Sequence, residues 1–389
     1  MTKQNEIISS NCNRRDFLKM SAGAMAAMAT AACAFPATAK AMPMKINNTI
    51  SFRDCLTMDP VTMAEKSSHV KSAFEFLLKT ANEIADANLR RSTLEILRNP
   101  APRLMELYPS DTEKEYIKQR LINANLLKPS ASYDEFLPPC KDSSHAVIPF
   151  YSAPGSGYAS HHSYPGGLAT HVAVNVKTAL GIFQAYKDVY GTSVNRDIVI
   201  AAQSLHDLHK PWVFQWQKDG SSRTEYLIAG TGSHHILSLA ELIHRRFPVD
   251  VIIAQACAHN HPGTTEDERE IVNWLNAAAI LANQDAKSLG LIAADSKTLP
   301  IPRRVEGFIT HLGDHDWVLS VPAAKWLIAK LGEISQSVYH LTPADLQTEK
   351  FYALRNYVFS QATLEQLYLI WTNEGETALV NTVKSIVTI

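Results

Sequence analysis

The strongest constraint on the fold of this chain is a succession of apolar-striped helical segments between residues 167 and 289. In the first segment, predicted over about 167–190, apolar side chains recur at helical spacing from Leu168 through Val172 and Val176. Further segments of this kind are predicted over 196–209, 235–248, 249–259 and 266–289. No alternating strand pattern of useful length separates them. The sequence therefore predicts an all-α fold.

Four parts are predicted along the 389 residues. A signal peptide over 1–41 is followed by an N-terminal helical region over 42–145, whose periodicity is clearest from 70 to 97. The helical bundle occupies 146–295 and begins with a Gly-, Ser- and Tyr-rich loop. A C-terminal helical extension over 296–389 includes helical patterns at 323–330 and 364–383.

The N-terminus has the features of a twin-arginine export signal. Arg14 and Arg15 stand before Phe-Leu-Lys, and an uncharged, Ala-rich stretch leads to small-residue cleavage sites near Ala39. A membrane anchor is the alternative reading, but Pro36 and the weak hydrophobicity oppose it. Cys33 is a second alternative, as a lipid-attachment site with a poor surrounding motif. We predict an exported, periplasmic protein with no membrane span in its mature form.

Composition excludes some function classes. The net charge is −1, so no basic field indicates nucleic-acid binding. Cys55, Cys140 and Cys257 remain after the signal and form no CxxC pair. One disulfide is compatible with three cysteines, but a disulfide framework is not.

Histidine is the compositional anomaly. Ten of the fifteen histidines fall between His161 and His261. The central motif, His206-Asp207, places an imidazole and a carboxylate together at the end of an apolar helix. His171 lies on the edge of the apolar stripe of its own helix.

Asp285 is predicted to lie on the apolar stripe of the fifth segment, seven residues after Ala278 and four before Leu289. A buried carboxylate is expensive unless it is paired or binds a cation. The sequence therefore indicates either a metal ligand or one half of a buried salt bridge at Asp285.

Two more groups offer imidazoles, one at a predicted helix start and one at a helix end. They are His234-His235 and His259-Asn260-His261. Imidazole and carboxylate donors suit Mn, Fe, Co, Ni or Zn, and the lack of cysteine in the set argues against a structural zinc site.

In order and spacing, these motifs resemble the HD superfamily of metal-dependent phosphohydrolases, especially the HD domain of bacterial 3′–5′ exoribonucleases. His161-His162-Ser163-Tyr164-Pro165-Gly166-Gly167-Leu168 resembles their entry motif, and Leu205-His206-Asp207-x-x-Lys210 resembles their core motif. The resemblance covers about 125 residues and implies an HD-domain helical bundle. The family's RNA substrate is not carried over, because no accompanying OB-fold is evident.

The resemblance implies a set of ligands. One metal would be held by His171, His206, Asp207 and Asp285, and a second by Asp207, His235, His259 and His261. His234 competes with His235, one of the last two histidines is dispensable, and a mononuclear site stays open. His209 occupies a position that is usually small or apolar, so it supports the site indirectly or faces solvent. Lys210 would contact phosphate or support Asp207, and His161 or His162 would assist the leaving group.

The predicted function is metal-dependent hydrolysis of a small phosphoester or nucleotide. The alternatives are an HD-type di-iron oxygenase and a non-enzymatic binding protein on the same fold. The run Thr310–Asp316 is interpreted as a solvated loop, a partner surface or a further polar site, with the solvated loop preferred.

Overall fold

The described residues of the chain, 48–157 and 160–389 in a computed structural model, are mainly helical, as predicted. The signal peptide predicted at 1–41, with Arg14, Arg15 and Cys33, lies outside them. The α-helices are α1 (Phe52–Thr57), α2 (Pro60–Lys66), α3 (Ser68–Ala81), α4 (Ala87–Arg98), α5 (Asp111–Asn123), α6 (Tyr133–Phe136), α7 (Gly167–Tyr190), α8 (Arg196–Leu205), α9 (Lys210–Val213), α10 (Ser233–His244), α11 (Val249–Ala256), α12 (Thr265–Leu281), α13 (Val305–Gly313), α14 (Trp317–Tyr339), α15 (Glu349–Ala362), α16 (Leu364–Glu374) and α17 (Glu376–Ile386). Three 3₁₀ turns occupy Arg103–Leu107, Phe150–Ser152 and Pro343–Gln347.

Four two-residue strands complete the described secondary structure. They are β1 (Ile50–Ser51), β2 (Leu227–Ile228), β3 (Thr231–Gly232) and β4 (Val387–Thr388). β2 and β3 form an antiparallel hairpin, and β1 pairs in parallel with β4. The start of the described chain is therefore hydrogen-bonded to its C-terminal end.

Helix α7 has the bounds that the sequence predicted. Gly166 precedes it with φ of 88°, and Gly191 follows it with φ of 61°, so both ends lie in the left-handed region that favours glycine. A Cβ at Gly166 would stand 2.2 Å from Cγ2 of Val70. The glycine therefore also permits close contact between the start of α7 and α3.

Several other segments are shorter than predicted. Helix α8 ends at Leu205 and α11 at Ala256, while α12 ends at Leu281 before Asn283 adopts a left-handed φ of 52°. The pattern over 70–97 is divided between α3 and α4, and the pattern over 364–383 is divided at Gly375. Apolar periodicity continued past these ends because the following turns also bury side chains.

Two hydrophobic cores organise the described chain. The larger one unites N-terminal residues from Leu77 onward with the helices up to Leu299. The second joins the C-terminal helices to Cys55 and Met63. The described residues, 48–157 and 160–389, form one compact unit, and the predicted boundaries after 145 and 295 stay predictions.

Four helices, α7, α8, α11 and α13, pack against one another and bring several chain ends together. The carboxyl ends of α8, α11 and α13 lead into His206, His259 and Asp314, and the early turns of α7 carry His171. The carboxyl end of a helix has a partial negative charge, which favours a cation. No helix among the described residues is both long and apolar enough to cross a membrane.

Candidate metal centre

The side chain of Asp207 lies fully buried at the middle of a cluster of imidazoles. Its Oδ2 atom is 3.2 Å from Nε2 of both His171 and His206. Its Oδ1 atom is 3.2 Å from Nε2 of His234 and 3.9 Å from Nε2 of His259. The two oxygens of one carboxylate thus face two different pairs of histidines.

A second carboxylate, Asp314, mirrors this arrangement. Its Oδ1 atom lies 3.3 Å from Nε2 of His171 and 3.5 Å from Nε2 of His206, and its Oδ2 atom lies 3.4 Å from Nε2 of His259. Asn175 donates a 2.6 Å hydrogen bond to Oδ1 and fixes the carboxylate. We call the six residues the metal centre: His171, His206, Asp207, His234, His259 and Asp314.

The tautomers of two histidines are set by oxygen acceptors on the far side of the ring. Nδ1 of His206 donates to the carbonyl of Gln203 at 2.8 Å, and Nδ1 of His234 donates to the Glu225 carboxylate at 2.5 Å. A ring that donates from Nδ1 keeps a lone pair on Nε2 when it is neutral. This is the usual arrangement of a metal-ligating histidine, whose other nitrogen is held by a carboxylate or carbonyl.

The carboxylate of Asp316 lies beside His171 at ion-pair distance, with Oδ1 3.1 Å from Nδ1 of the imidazole. The other oxygen of Asp316 accepts a 2.7 Å hydrogen bond from Nε2 of His162. Asp316 therefore connects His162 to the metal centre.

The centre passes a direct test for a bound cation. Oδ2 of Asp207 is paired with the Lys210 ammonium, but Oδ1 of Asp207 and the Nε2 atoms of His206 and His234 are buried without a hydrogen-bond partner. Buried polar atoms of native proteins are normally satisfied, and a carboxylate is especially costly to leave unpaired. A divalent ion would satisfy all of these atoms, and groups of three donors in this cluster have their ligand atoms within 4.8 Å of one another.

Electrostatics in the centre also favour positive charge. Burial acts to lower the pKa of His206, but the carboxylates of Asp207 and Asp314 outweigh it and raise that pKa to about 9. Burial acts to raise the pKa of Asp207, but His206 and Lys210 hold it well below its usual range. For His259, burial dominates and lowers the pKa to about 4.

The prediction for Asp285 is wrong in its premise. Because α12 ends at Leu281, Asp285 does not continue the apolar stripe but lies exposed in the following turn. Its Oδ1 atom accepts a 2.7 Å hydrogen bond from the amide of Ser288. The place expected for Asp285 in the cluster is taken by Asp314.

Two predicted histidines also lie outside the cluster. His235 is buried, but its ring packs against Trp274 and against His259, and neither of its nitrogens has a hydrogen-bond partner. His234, its neighbour, faces Asp207 instead. His261 is exposed, and its Nδ1 donates to the carbonyl of Pro262.

Three further predicted residues receive defined positions. Lys210 is buried, with Nζ 2.5 Å from Oδ2 of Asp207 and 2.5 Å from the carbonyl of Gly155, so it supports the carboxylate. His162 is 1% exposed and its Nε2 donates to Asp316, and its predicted assistance to the leaving group stays a prediction. His209 does not face solvent, because its side chain is buried and its Nε2 atom lies 3.2 Å from Oε2 of Glu241.

The interpretation of Thr310–Asp316 as a solvated loop is also wrong. Asp314 is 5% exposed and is the C-cap of α13, a position equivalent to that of His206 at the end of α8. Asp314 and His206 share one sequence feature, because each is a possible metal-ligating side chain directly after an apolar helix. The sequence alone could not show that the two helix ends meet.

The metal centre opens into a pocket of about 320 Å³. His171, His234, His259 and Asp314 form part of its lining. Its remaining side chains include those of His161, His311, His315 and Trp317.

Comparison with known proteins gave two positive findings. The model of the twin-arginine translocation pathway signal sequence matches residues 11–31. Over 207 residues the chain is 29% identical to a dihydroneopterin 2′,3′-cyclic phosphate phosphodiesterase from Methanocaldococcus jannaschii. The aligned region covers 52% of this chain and 68% of the relative. The predicted resemblance to HD-type phosphohydrolases is confirmed.

The N-terminal match also confirms the prediction of export by the twin-arginine pathway. No solved structure matches the chain.

Proposed function

We propose that this protein is a metal-dependent phosphohydrolase that cleaves a small phosphoester, with a cyclic phosphodiester as the first candidate. The observation that carries the proposal is the pair of buried carboxylates, Asp207 and Asp314, flanked by four imidazole Nε2 atoms beside a pocket. The activity named for the archaeal relative supports the same reaction class.

The donor set divides naturally between two ions. His171 and His206, with Oδ2 of Asp207 and Oδ1 of Asp314, would hold one ion. His234 and His259, with the other oxygens of the same carboxylates, would hold a second. Nitrogen and carboxylate oxygen donors of this kind suit Mn, Fe, Co, Ni or Zn. When bound, such ions polarise a phosphoryl oxygen and lower the pKa of a coordinated water.

The surrounding residues orient the ligands and line the space for substrate. Lys210 fixes Asp207 and offers positive charge near the pocket. Burial holds the pKa of His161 well below its usual range, together with the neighbouring His171 and Lys210. His161 is therefore a neutral imidazole that can position water or a leaving group by a hydrogen bond.

The test is metal analysis of the purified mature protein together with hydrolysis of a nucleoside 2′,3′-cyclic phosphate. We expect about two transition-metal ions per chain, because four imidazole nitrogens and four carboxylate oxygens are more donor atoms than one ion normally takes. Asp207→Ala should abolish hydrolysis and lower metal content. His145→Ala is the control, since His145 is exposed and pairs only with its neighbours Asp142 and Ser144.

Failure of the proposal has a clear form. A protein that binds no metal and shows no metal-stimulated hydrolysis would contradict it. Iron-dependent oxygen uptake without phosphate release would instead support the oxygenase alternative. Equal losses in the Asp207 and His145 variants would indicate general destabilisation.

A further inference from the structure

Apart from the metal centre, the pocket is walled largely by planar rings. His161, His311, His315 and Trp317 all contribute to its lining. Trp317 is the largest of them and remains 46% exposed, although tryptophan is a residue that folding usually buries. An indole exposed at the edge of a polar pocket is an available surface for another flat ring.

Trp317 is held in a fixed relation to the metal centre. It directly follows Asp316, which contacts His171, and it begins α14 three residues after Asp314. Its ring centroid lies 5.9 Å from that of His315, with an interplanar angle of 38°. A ring stacked on Trp317 would therefore lie at a defined distance from any phosphoryl group at the metal centre.

The charges of the pocket limit the number of phosphates. Among the described residues that line it, Lys210 is the one ammonium group, no arginine contributes, and Nζ of Lys210 already contacts Asp207 and the Gly155 carbonyl. The proposed ions would hold the scissile phosphoryl group, and further phosphates of a polyphosphate chain would need additional cationic side chains. The pocket volume of about 320 Å³ is at the small end for a ligand site.

We propose that Trp317 is a specificity-determining residue and that the substrate carries one phosphoester beside a planar aromatic ring, which stacks on the indole. This inference rests on the proposed phosphohydrolase function and narrows its substrate class. It separates ring-bearing monophosphoesters and cyclic phosphodiesters from aliphatic phosphoesters and from nucleoside triphosphates.

The test compares two cyclic phosphates that differ in the ring: adenosine 2′,3′-cyclic phosphate and glycerol 1,2-cyclic phosphate. In Trp317→Leu, kcat/KM for the adenosine compound should fall on the order of tenfold to a hundredfold, the usual worth of a stacked base. The loss should appear in KM, because stacking stabilises ground state and transition state alike. The glycerol compound should change by less than about threefold. Trp317→Phe should restore most of the selectivity, since phenylalanine keeps a flat ring.

Trp326→Leu is the matched control. Trp326 lies on the same helix, is 44% exposed and stacks on Tyr368, away from the pocket lining. Its replacement should leave both substrates unaffected. Equal losses on both substrates in Trp317→Leu, or full activity on both, would overturn the inference while leaving the phosphohydrolase function intact.

A binding measurement separates the two proposals. Adenosine 2′-monophosphate should bind the metal-loaded wild-type protein in a calorimetric titration, and Trp317→Leu should weaken that binding about tenfold or more. Binding that depends on Trp317 without hydrolysis of any phosphoester would uphold the ring-binding role of Trp317 and refute the proposed function. Binding equally tight in Trp317→Leu would refute the inference.

Discussion

At the scale of single residues, two aspartates that each follow an apolar helix lie in opposite environments. Asp314 is buried among three imidazoles of the metal centre, whereas Asp285 is exposed in a turn. The difference comes from the helices before them. Helix α13 points its end at α7 and α8, while α12 ends before Asp285 is reached.

This contrast gives a matched pair of variants. Asp314→Asn removes a negative charge that lies beside His171, His206 and His259. We therefore expect a large loss of bound metal and at least a hundredfold loss of hydrolysis. Replacing residues that only support the ligands typically costs roughly 10–100-fold. Asp285→Asn should leave metal content unchanged and lower stability only slightly, by the loss of one exposed turn. Metal analysis and thermal melting of both variants decide the matter. Metal loss in Asp285→Asn with full occupancy in Asp314→Asn would reverse the assignment.

The raised pKa of His206 predicts a pH dependence of metal binding. At neutral pH the metal-free protein keeps this imidazole protonated, because its pKa is about 9. A metal at Nε2 must displace that proton, so affinity should rise with pH up to about 9, by at most roughly tenfold per pH unit for each proton released. Calorimetric titrations in buffers of different ionisation enthalpy measure the protons released. Affinity that is constant from pH 6 to 9 would contradict the prediction.

The raised pKa of His206 also predicts how the stability of the metal-free protein depends on pH. The pKa of His206 is higher in the folded protein than in the unfolded chain, so protonation of this imidazole stabilises the metal-free protein. The contribution is fully present below about pH 6.5 and is lost as pH rises through about 9. Metal-free protein should therefore melt at a lower temperature at pH 9 than at pH 6.5 as far as this group is concerned. Bound metal should oppose that trend, because its own binding strengthens over the same range.

At the scale of elements, the metal centre depends on how closely the end of α13 approaches α7 and α8. A Cβ at Gly313 would stand 2.5 Å from Oε1 of Gln203 and 2.9 Å from Cβ of Ala179. Both neighbours are buried, so neither has free space into which to move. Glycine at this position therefore allows the next residue, Asp314, to reach the cluster.

Gly313→Ala should push α13 away from its neighbours and withdraw Asp314. We expect a loss of about 1–3 kcal/mol in the free energy of unfolding, typical of overpacking, together with weaker metal binding. Gly181 lies in helix α7, and a Cβ at this position would meet no atom within 4 Å. Gly181→Ala should therefore raise the free energy of unfolding by about 0.5–1 kcal/mol and leave metal binding unchanged. Denaturant unfolding and metal titration test the pair. Equal metal affinity in both variants would show that the approach of α13 is not limiting.

At the scale of the whole molecule, the N-terminal signal indicates that the protein folds before it is exported. Its pattern matches the twin-arginine signal over residues 11–31. That pathway carries folded proteins, so a buried metal centre built from five segments of chain can be filled before transport. Residues 171 to 314 must be folded together before any of these ligands can share an ion.

Export should depend on the paired arginines. Replacing both Arg14 and Arg15 by lysine keeps the charge but removes the guanidinium groups, so the protein should be retained in the cytoplasm. Fractionation followed by immunoblotting measures the distribution, with Lys3→Arg as a control that leaves the motif intact. Normal export of the double-lysine variant would show that the signal acts through charge alone.

The sequence by itself determined the helical class, the extent of α7, and the involvement of His171, His206, Asp207 and His259. These follow from local patterns: apolar periodicity, flanking glycines, and polar donors at the ends of apolar helices. The tertiary structure alone decided the remaining members of the cluster. His234 rather than His235 faces Asp207 because Glu225, nine residues away, holds its ring. Asp314 replaced Asp285 because the meeting of helix ends depends on contacts between segments more than 100 residues apart, for which local periodicity carries no information.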